Sequence, residues 1–173
     1  YFGSKVIHIS QQKSMSTIVR GLYLFWFHLA FIIRALFGPS YDIILSPSPP
    51  PTTGFLNGIA AKLRGAKAVY NVQEIYPDII HKTDIKLPKI AWNVLKWMEK
   101  QTYKWNSKIV TIDRQFADII GPRLKAEQLE VIPNFVDTEL YSPREFKANP
   151  KLDFLGKFLV VYLGNLGKVQ DWS

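Results

Sequence analysis

The chain contains no cysteine, which excludes both a disulfide framework and a thiolate metal centre. It has only three histidines, His8, His28 and His81, and they are too scattered for the ligand spacing of a zinc site. No two aspartates stand two positions apart, so an Asp-x-Asp metal motif is missing. Acidic residues are scarce: 14 Asp and Glu stand against 22 Lys and Arg, a net charge of +8. That imbalance favours polyanionic partners, whether nucleic acid, an anionic membrane surface or phosphorylated substrates. Internal repeats are absent, and the first ten residues show no basic stretch followed by an apolar core and a cleavage site.

What is present fits a globular chain. Of its 173 residues 47% are hydrophobic, 21% charged and 14% aromatic, enough for one sizeable core. Short apolar strands alternate with helical segments. Lys5–Ile9 reads as a strand. Ser16 or Thr17 opens an apolar helix that stops at Phe37-Gly38-Pro39. Tyr41–Leu45 is a buried strand, followed by a stiff Ser46–Pro51 loop and a helix capped by Thr52 or Thr53 that reaches Arg64-Gly65. Ala68–Val72 is a strand that ends in the loop Gln73–Asp78. A helix from Lys89 to Asn106, a strand over Lys108–Ile112, a helix capped by Asp113 and running to about Leu124, and a strand over Glu130–Ile132 complete the pattern. Alternation of this kind predicts an α/β, doubly wound parallel sheet.

From Thr138 to Lys157 the composition turns polar, with Pro143 and Pro150, as in a linker. Phe158–Leu163 then reads as a new buried strand followed by Gly164-Asn165-Leu166-Gly167. The expected organisation is one Rossmann-like domain over 1–137, a linker over 138–157, and the opening of a second domain over 158–173.

The segment Val131-Ile132-Pro133-Asn134-Phe135-Val136-Asp137, with Tyr141 and Pro143 behind it, resembles the interdomain signature of family 4 glycosyltransferases. Pro133 ends a strand because it cannot extend the ladder, Asn134 tolerates a left-handed turn, and Asp137 can bond nearby backbone amides. Three further pieces are similar in order and spacing: Tyr41–Ile44 leading into the proline loop, Val72–Asp78, and Val161–Gly167. Relatives usually carry Gly at position 135, Asp at 74, Trp at 76 and a His at 73, where this chain has Phe, Glu, Tyr and Gln.

The resemblance implies a two-domain Rossmann-like enzyme of surface-polysaccharide synthesis (O-antigen, lipopolysaccharide, capsule or exopolysaccharide). This chain would be the acceptor-side half, lacking the family's first strand and helix and its paired-glutamate donor motif, and so inactive alone. The reaction implied is retaining and metal-independent and uses no cofactor. It moves a sugar from a nucleotide-diphosphate sugar to a polyprenyl-diphosphate-linked glycan on the cytoplasmic face of the cell membrane.

Ligands of open α/β sheets sit beyond the carboxyl ends of the strands, which places the loops at 46–53, 73–78 and 164–168 around one cleft. Glu74 is the candidate for acceptor orientation or acid/base work, because a carboxylate at a strand end can accept a hydrogen bond from an acceptor hydroxyl. Ser46, Ser48, Thr52 and Asp78 are the other candidate acceptor contacts. Gly164, Asn165, Gly167 and Lys168 are candidates for the donor diphosphate, through backbone amides at a helix start and a nearby cation.

Two helices suggest a membrane interface. In the first, Arg20, His28 and Arg34 share a stripe with Leu24, Phe27 and Phe31, a mixture that suits neither water nor core but does suit lipid headgroups above acyl chains. The two arginines argue against a spanning helix. In the second, Lys89, Trp92, Lys96, Lys100, Tyr103 and Lys104 form one face, while Ala91, Val94, Leu95, Met98 and Trp105 form a core-like face. Basic residues interleaved with aromatics suit anionic headgroups. No RNA-binding motif is present, so nucleic acid is not the expected partner. A sugar-nucleotide 2-epimerase of the same fold and a non-catalytic lipid-binding module remain as alternatives.

Overall fold

The computed structural model describes residues 16–83, 86–142 and Gly164. The expected strand at Lys5–Ile9, most of the linker and the second-domain strand at 158–163 lie outside the described residues, as do Asn165, Gly167 and Lys168.

Four parallel strands form one sheet in the order β1-β2-β3-β4: β1 Ile43–Pro47, β2 Lys67–Val72, β3 Lys108–Thr111 and β4 Leu129–Val131. The register pairs Leu45 with Val69, Tyr70 with Ile109 and Thr111 with Val131. Each crossover contains a helix: α2 Thr52–Arg64, α3 Lys89–Trp105 and α4 Arg114–Ile120, with α1 Thr17–Phe37 ahead of β1. Moving along the sheet in one direction with right-handed crossovers puts successive helices on the same face. The packing agrees, since α2 lies on β1 and β2 and between α1 and α3. Among the described residues the helices therefore form a single layer rather than the two layers of a doubly wound sheet. Ile43 and Leu45 on the other face are exposed.

The core lies between sheet and helices. Tyr70 and Val72 of β2, Ile109 of β3, Tyr103 of α3 and Ile120 of α4 are buried together, with Ile75 at the end of the cluster. Alternation along β2 explains this, because Ala68, Tyr70 and Val72 face the helices in turn. Helix α2 approaches the sheet closely because it is lined with small residues. A Cβ on Gly54 would stand 2.6 Å from the Tyr70 ring, and one on Gly58 would stand 2.7 Å from Trp105 Cβ. Between them Asn57 is fully buried and donates to the carbonyls of Ile44 (3.1 Å) and Val69 (3.0 Å) and to Asn106 Oδ1 (3.1 Å). Asn106 donates onward to the carbonyls of Gly54 and Thr102. This polar clasp joins β1, β2, α2 and α3.

Several local expectations change. Neither Thr52 nor Thr53 caps α2; Pro51 occupies that position, and the Thr53 hydroxyl turns back to the carbonyls of Pro47 and Pro50. Helix α4 stops at Ile120 and continues as a tighter turn over Gly121–Arg123, because Pro122 lacks the amide an α-helix needs. Asn134 takes no left-handed turn, since no non-glycine residue among those described has positive φ. Asp113 does cap α4, accepting from Phe116 N at 2.7 Å. Asp137 accepts from the amides of Glu139 and Leu140, both at 3.0 Å.

The outer surface of the helical layer also differs from expectation. Tyr103, read as facing the membrane, is 5% exposed and belongs to the core. Val94, read as core, is 48% exposed and joins Ile90 and Trp97 in an outward apolar stripe. At about 100° per residue this stripe runs directly beside the exposed Lys89, Lys96, Lys100 and Lys104. Trp92 is half-buried against His81, their rings 4.3 Å apart. On α1 the expected stripe is exposed at Arg20, Leu24, Phe27 and Arg34 and half-buried at Phe31. A second apolar stripe, Leu22, Phe25, Trp26, Leu29 and Ile33, is exposed as well. Ile18–Phe37 is long and apolar enough to cross a membrane by length and composition, and only 6% of its apolar window is buried.

Candidate active site

The carboxyl ends of β1 and β2 carry the proline loop and the loop Gln73–Asp78, and one serine locks them together. Ser48 is buried; its Oγ accepts from the amides of Gln73 (2.9 Å) and Glu74 (3.0 Å) and donates to the Glu74 carbonyl at 3.2 Å. Its hydroxyl is thus committed to the backbone that presents Glu74, which makes it a strut. Ser46 is also buried, with no hydrogen-bond partner for its hydroxyl among the described residues. Peptide bonds Ser48-Pro49, Pro49-Pro50 and Tyr76-Pro77 are cis.

Glu74 is half-buried. Its Oε2 accepts a 2.9 Å hydrogen bond from the Tyr76 hydroxyl. Burial, reinforced by this bond to the carboxylate, pushes the Tyr76 hydroxyl up to about 12, so it remains a donor throughout the physiological range. Tyr70 is raised to about 12 as well, chiefly by burial. Beneath these groups lies a cavity of about 20 Å³ lined by Glu74, Tyr76, Tyr70 and Glu99. It has room for a single water.

Asp78 does not stand free. Arg123 bridges it at 2.5 Å and, through its other terminal nitrogen, Glu99 of α3 at 2.5 Å. Burial opposes the Arg123 charge, but the hydrogen bonds to Asp78 and Glu99 outweigh it and raise the guanidinium pKa. Burial likewise raises Glu99, with Arg123 partly offsetting it. The clamp fixes the far end of the Glu74 loop to α3 and to the turn after α4.

Thr52 sits at the start of α2, with its Oγ1 2.6 Å from His28 Nε2. His28 Nδ1 lies 2.7 Å from the Leu24 carbonyl. A carbonyl only accepts, so Nδ1 carries the hydrogen; in the neutral ring Nε2 is then the acceptor and Thr52 donates to it. The exposed helix α1 is thereby tied to the proline loop. Arg64 adds a second tie, donating to the carbonyls of Leu36 and Gly38, both at 3.0 Å.

The fold thus brings Ser46, Ser48, Thr52, Glu74 and Asp78 to one end of the sheet. Of the candidate donor residues only Gly164 is described. Among the described residues no group of three His, Asp or Glu side chains is placed to hold a metal. Tyr76, Tyr70, Glu99 and Arg123 were not expected in the site. Tyr76 could have been suspected from its place two residues beyond Glu74, whereas Arg123 lies 45 residues from Asp78 and no local pattern connects them.

Comparison with known proteins agrees with this geometry. The family model "Glycosyltransferase Family 4" matches residues 6–140. A curated relative from Escherichia coli, "UDP-Gal:alpha-D-GlcNAc-diphosphoundecaprenol alpha-1,3-galactosyltransferase", is 28% identical over 144 residues, covering 80% of this chain and 35% of the relative. The chain spans about a third of the length of the curated relative it matches. With parallel strands, loops gathered at their carboxyl ends and a match over most of its length, the chain belongs to glycosyltransferase family 4.

Proposed function

We propose that this chain is the acceptor-side part of an enzyme that moves a sugar from a nucleotide-diphosphate sugar to a polyprenyl-diphosphate-linked glycan. The observation that carries the proposal is the mounting of Glu74. Its backbone is pinned by Ser48, its carboxylate is held by Tyr76, and its loop is clamped by Arg123 through Asp78. A carboxylate so fixed at a strand end accepts a hydrogen bond from the attacking hydroxyl and holds it against the donor carbon on the same face as the departing diphosphate. Catalysis on this reading is positioning plus stabilisation of the departing diphosphate at the 164–168 loop. The transfer is retaining and metal-independent. The lipid-linked acceptor named for the Escherichia coli relative supports the acceptor class.

The reaction takes place at the cytoplasmic face of the membrane. Helix α1 lies in the interface and does not span it, because its midpoint is bonded to Thr52 and its carboxyl end to Arg64. Its exposed apolar stripes enter the acyl region while Arg20 and Arg34 meet phosphates.

The test is sugar transfer to a diphosphoundecaprenol-linked acceptor by the full-length protein and by Glu74→Gln. A fall in kcat of about a hundredfold or more, with unfolding unchanged, is expected. Unchanged transfer by Glu74→Gln would remove Glu74 from the mechanism. Interconversion of the nucleotide sugar without any lipid acceptor would point to an epimerase.

A further inference from the structure

At the end of the sheet opposite Glu74 an open groove separates the last turns of α3 from the 121–128 segment. Lys108, the first residue of β3, lies in it, whereas Glu74 follows the last residue of β2. The groove measures about 1120 Å³. Among the described residues Lys100, Lys104, Lys108, Arg123 and Lys125 line it, with Glu127 as the one carboxylate. Lys108 is paired with Glu130, and Arg123 with Asp78 and Glu99. Among the described residues no carboxylate pairs with Lys100, Lys104 or Lys125.

The end of a helix ordinarily offers unpaired carbonyls that repel anions. Here Gln128 Nε2 donates to the carbonyls of Tyr103 and Asn106, so that repulsion is reduced where the lysines converge. Among the described residues the only aromatic lining the groove is Tyr103, which is buried and offers no face on which a nucleic-acid base could stack. The exposed face of α3 that leads into the groove carries Ile90, Val94 and Trp97 beside Lys89 and Lys96, an apolar and basic pairing suited to a lipid surface.

We propose that this groove binds the phosphate of an anionic phospholipid headgroup through Lys100, Lys104 and Lys125 and so fixes the angle at which the domain rests on the membrane. The inference rests on the membrane placement proposed above and adds a defined headgroup site to it. Trp97 enters the interface near the bound lipid, Ile90 enters it at the far end of the helix, and α3 lies along the surface.

Flotation of the full chain with phosphatidylcholine vesicles, with and without phosphatidylglycerol, tests it. At low salt, Lys104→Gln combined with Lys125→Gln weakens binding to the anionic vesicles by about thirtyfold, each cation contributing on the order of a fivefold factor. A charge-matched control, Lys67→Gln with Arg114→Gln, changes it little. Equal loss in both variants would mean that net charge alone acts, and would overturn the groove. Full binding by the groove variant, with binding abolished by serines at Leu22, Phe25 and Leu29, would leave the membrane reading intact and remove the headgroup site. Absence of vesicle binding by the unaltered chain would remove both. Loss of affinity for a short RNA, with vesicle binding retained, would reassign the groove to nucleic acid and overturn the proposal.

Discussion

Helices α1 and α2 lie side by side in one layer, yet the more apolar of the two is the one left outside. Helix α1 presents Leu22, Phe25, Trp26, Leu29 and Ile33 to the surroundings. Helix α2, with two glycines, an asparagine and two threonines among its residues, buries Thr53, Gly54, Asn57, Gly58, Ala60 and Ala61. Burial here follows shape and polar satisfaction rather than hydrophobicity. Small residues let α2 approach Tyr70 and Trp105, and the buried Asn57 Nδ2 is satisfied by three acceptors, although its Oδ1 has no partner among the described residues. Large apolar side chains on α1 stay exposed among the described residues, and the proposed lipid interface is built on them.

The sharpest way to break this contrast is at Asn57. Asn57→Ala removes a donor from Asn106 Oδ1 and from two strand carbonyls, so a loss of about 2–4 kcal/mol is expected in chemical denaturation. An unchanged midpoint would mean that the clasp contributes nothing. Next comes Gly54→Ala, whose methyl group would press on Tyr70 and Thr102; a loss of about 1–3 kcal/mol is the expected result of the same measurement. Combined Leu22→Ser, Phe25→Ser and Leu29→Ser should by contrast leave stability within about 0.5 kcal/mol per site while abolishing flotation with anionic vesicles. A large stability loss there would show that these side chains are buried against protein.

Helix α3 combines both behaviours, with Tyr103 and Thr102 buried and Trp97 and Ile90 exposed, and it yields the smallest effect. Burial raises the Glu99 pKa despite Arg123, so the folded state holds this proton more tightly than the unfolded chain does. The resulting stability is fully present below the ordinary carboxylate pKa and is lost as pH rises through the raised value. Glu99→Gln should therefore leave the melting temperature equal or slightly higher at neutral pH, since Asp78 still engages Arg123, and should flatten its dependence in the acidic range. A marked drop at neutral pH would show that the ion pair outweighs its desolvation.

Much of the architecture was legible beforehand because it depends on local signals. Gly65, with φ of 69°, ends α2 as its sequence position suggests, Asp113 caps α4, and the strands fall within two residues of their apolar runs. The faces of α3 were less legible. Helical periodicity groups Tyr103 with the lysines, but the basic face extends to the edge of the core, and a residue at that edge is assigned by what its neighbours bury. In the candidate site the sequence placed Glu74 at a strand end. It carried no sign that Ser48, 26 residues earlier, would be spent on holding that loop.

By itself, then, the sequence determined the strand–helix alternation, the glycine stop after α2, the Asp113 cap of α4 and the excess of positive charge, and the first three act between near neighbours. Tertiary structure alone decided that Arg123 would clamp Asp78 to Glu99, that Thr52 would meet His28, and that Lys125 would join Lys100 and Lys104 in one groove. Such contacts join residues distant along the chain, and only the packing of the helices against the sheet sets the distances between them.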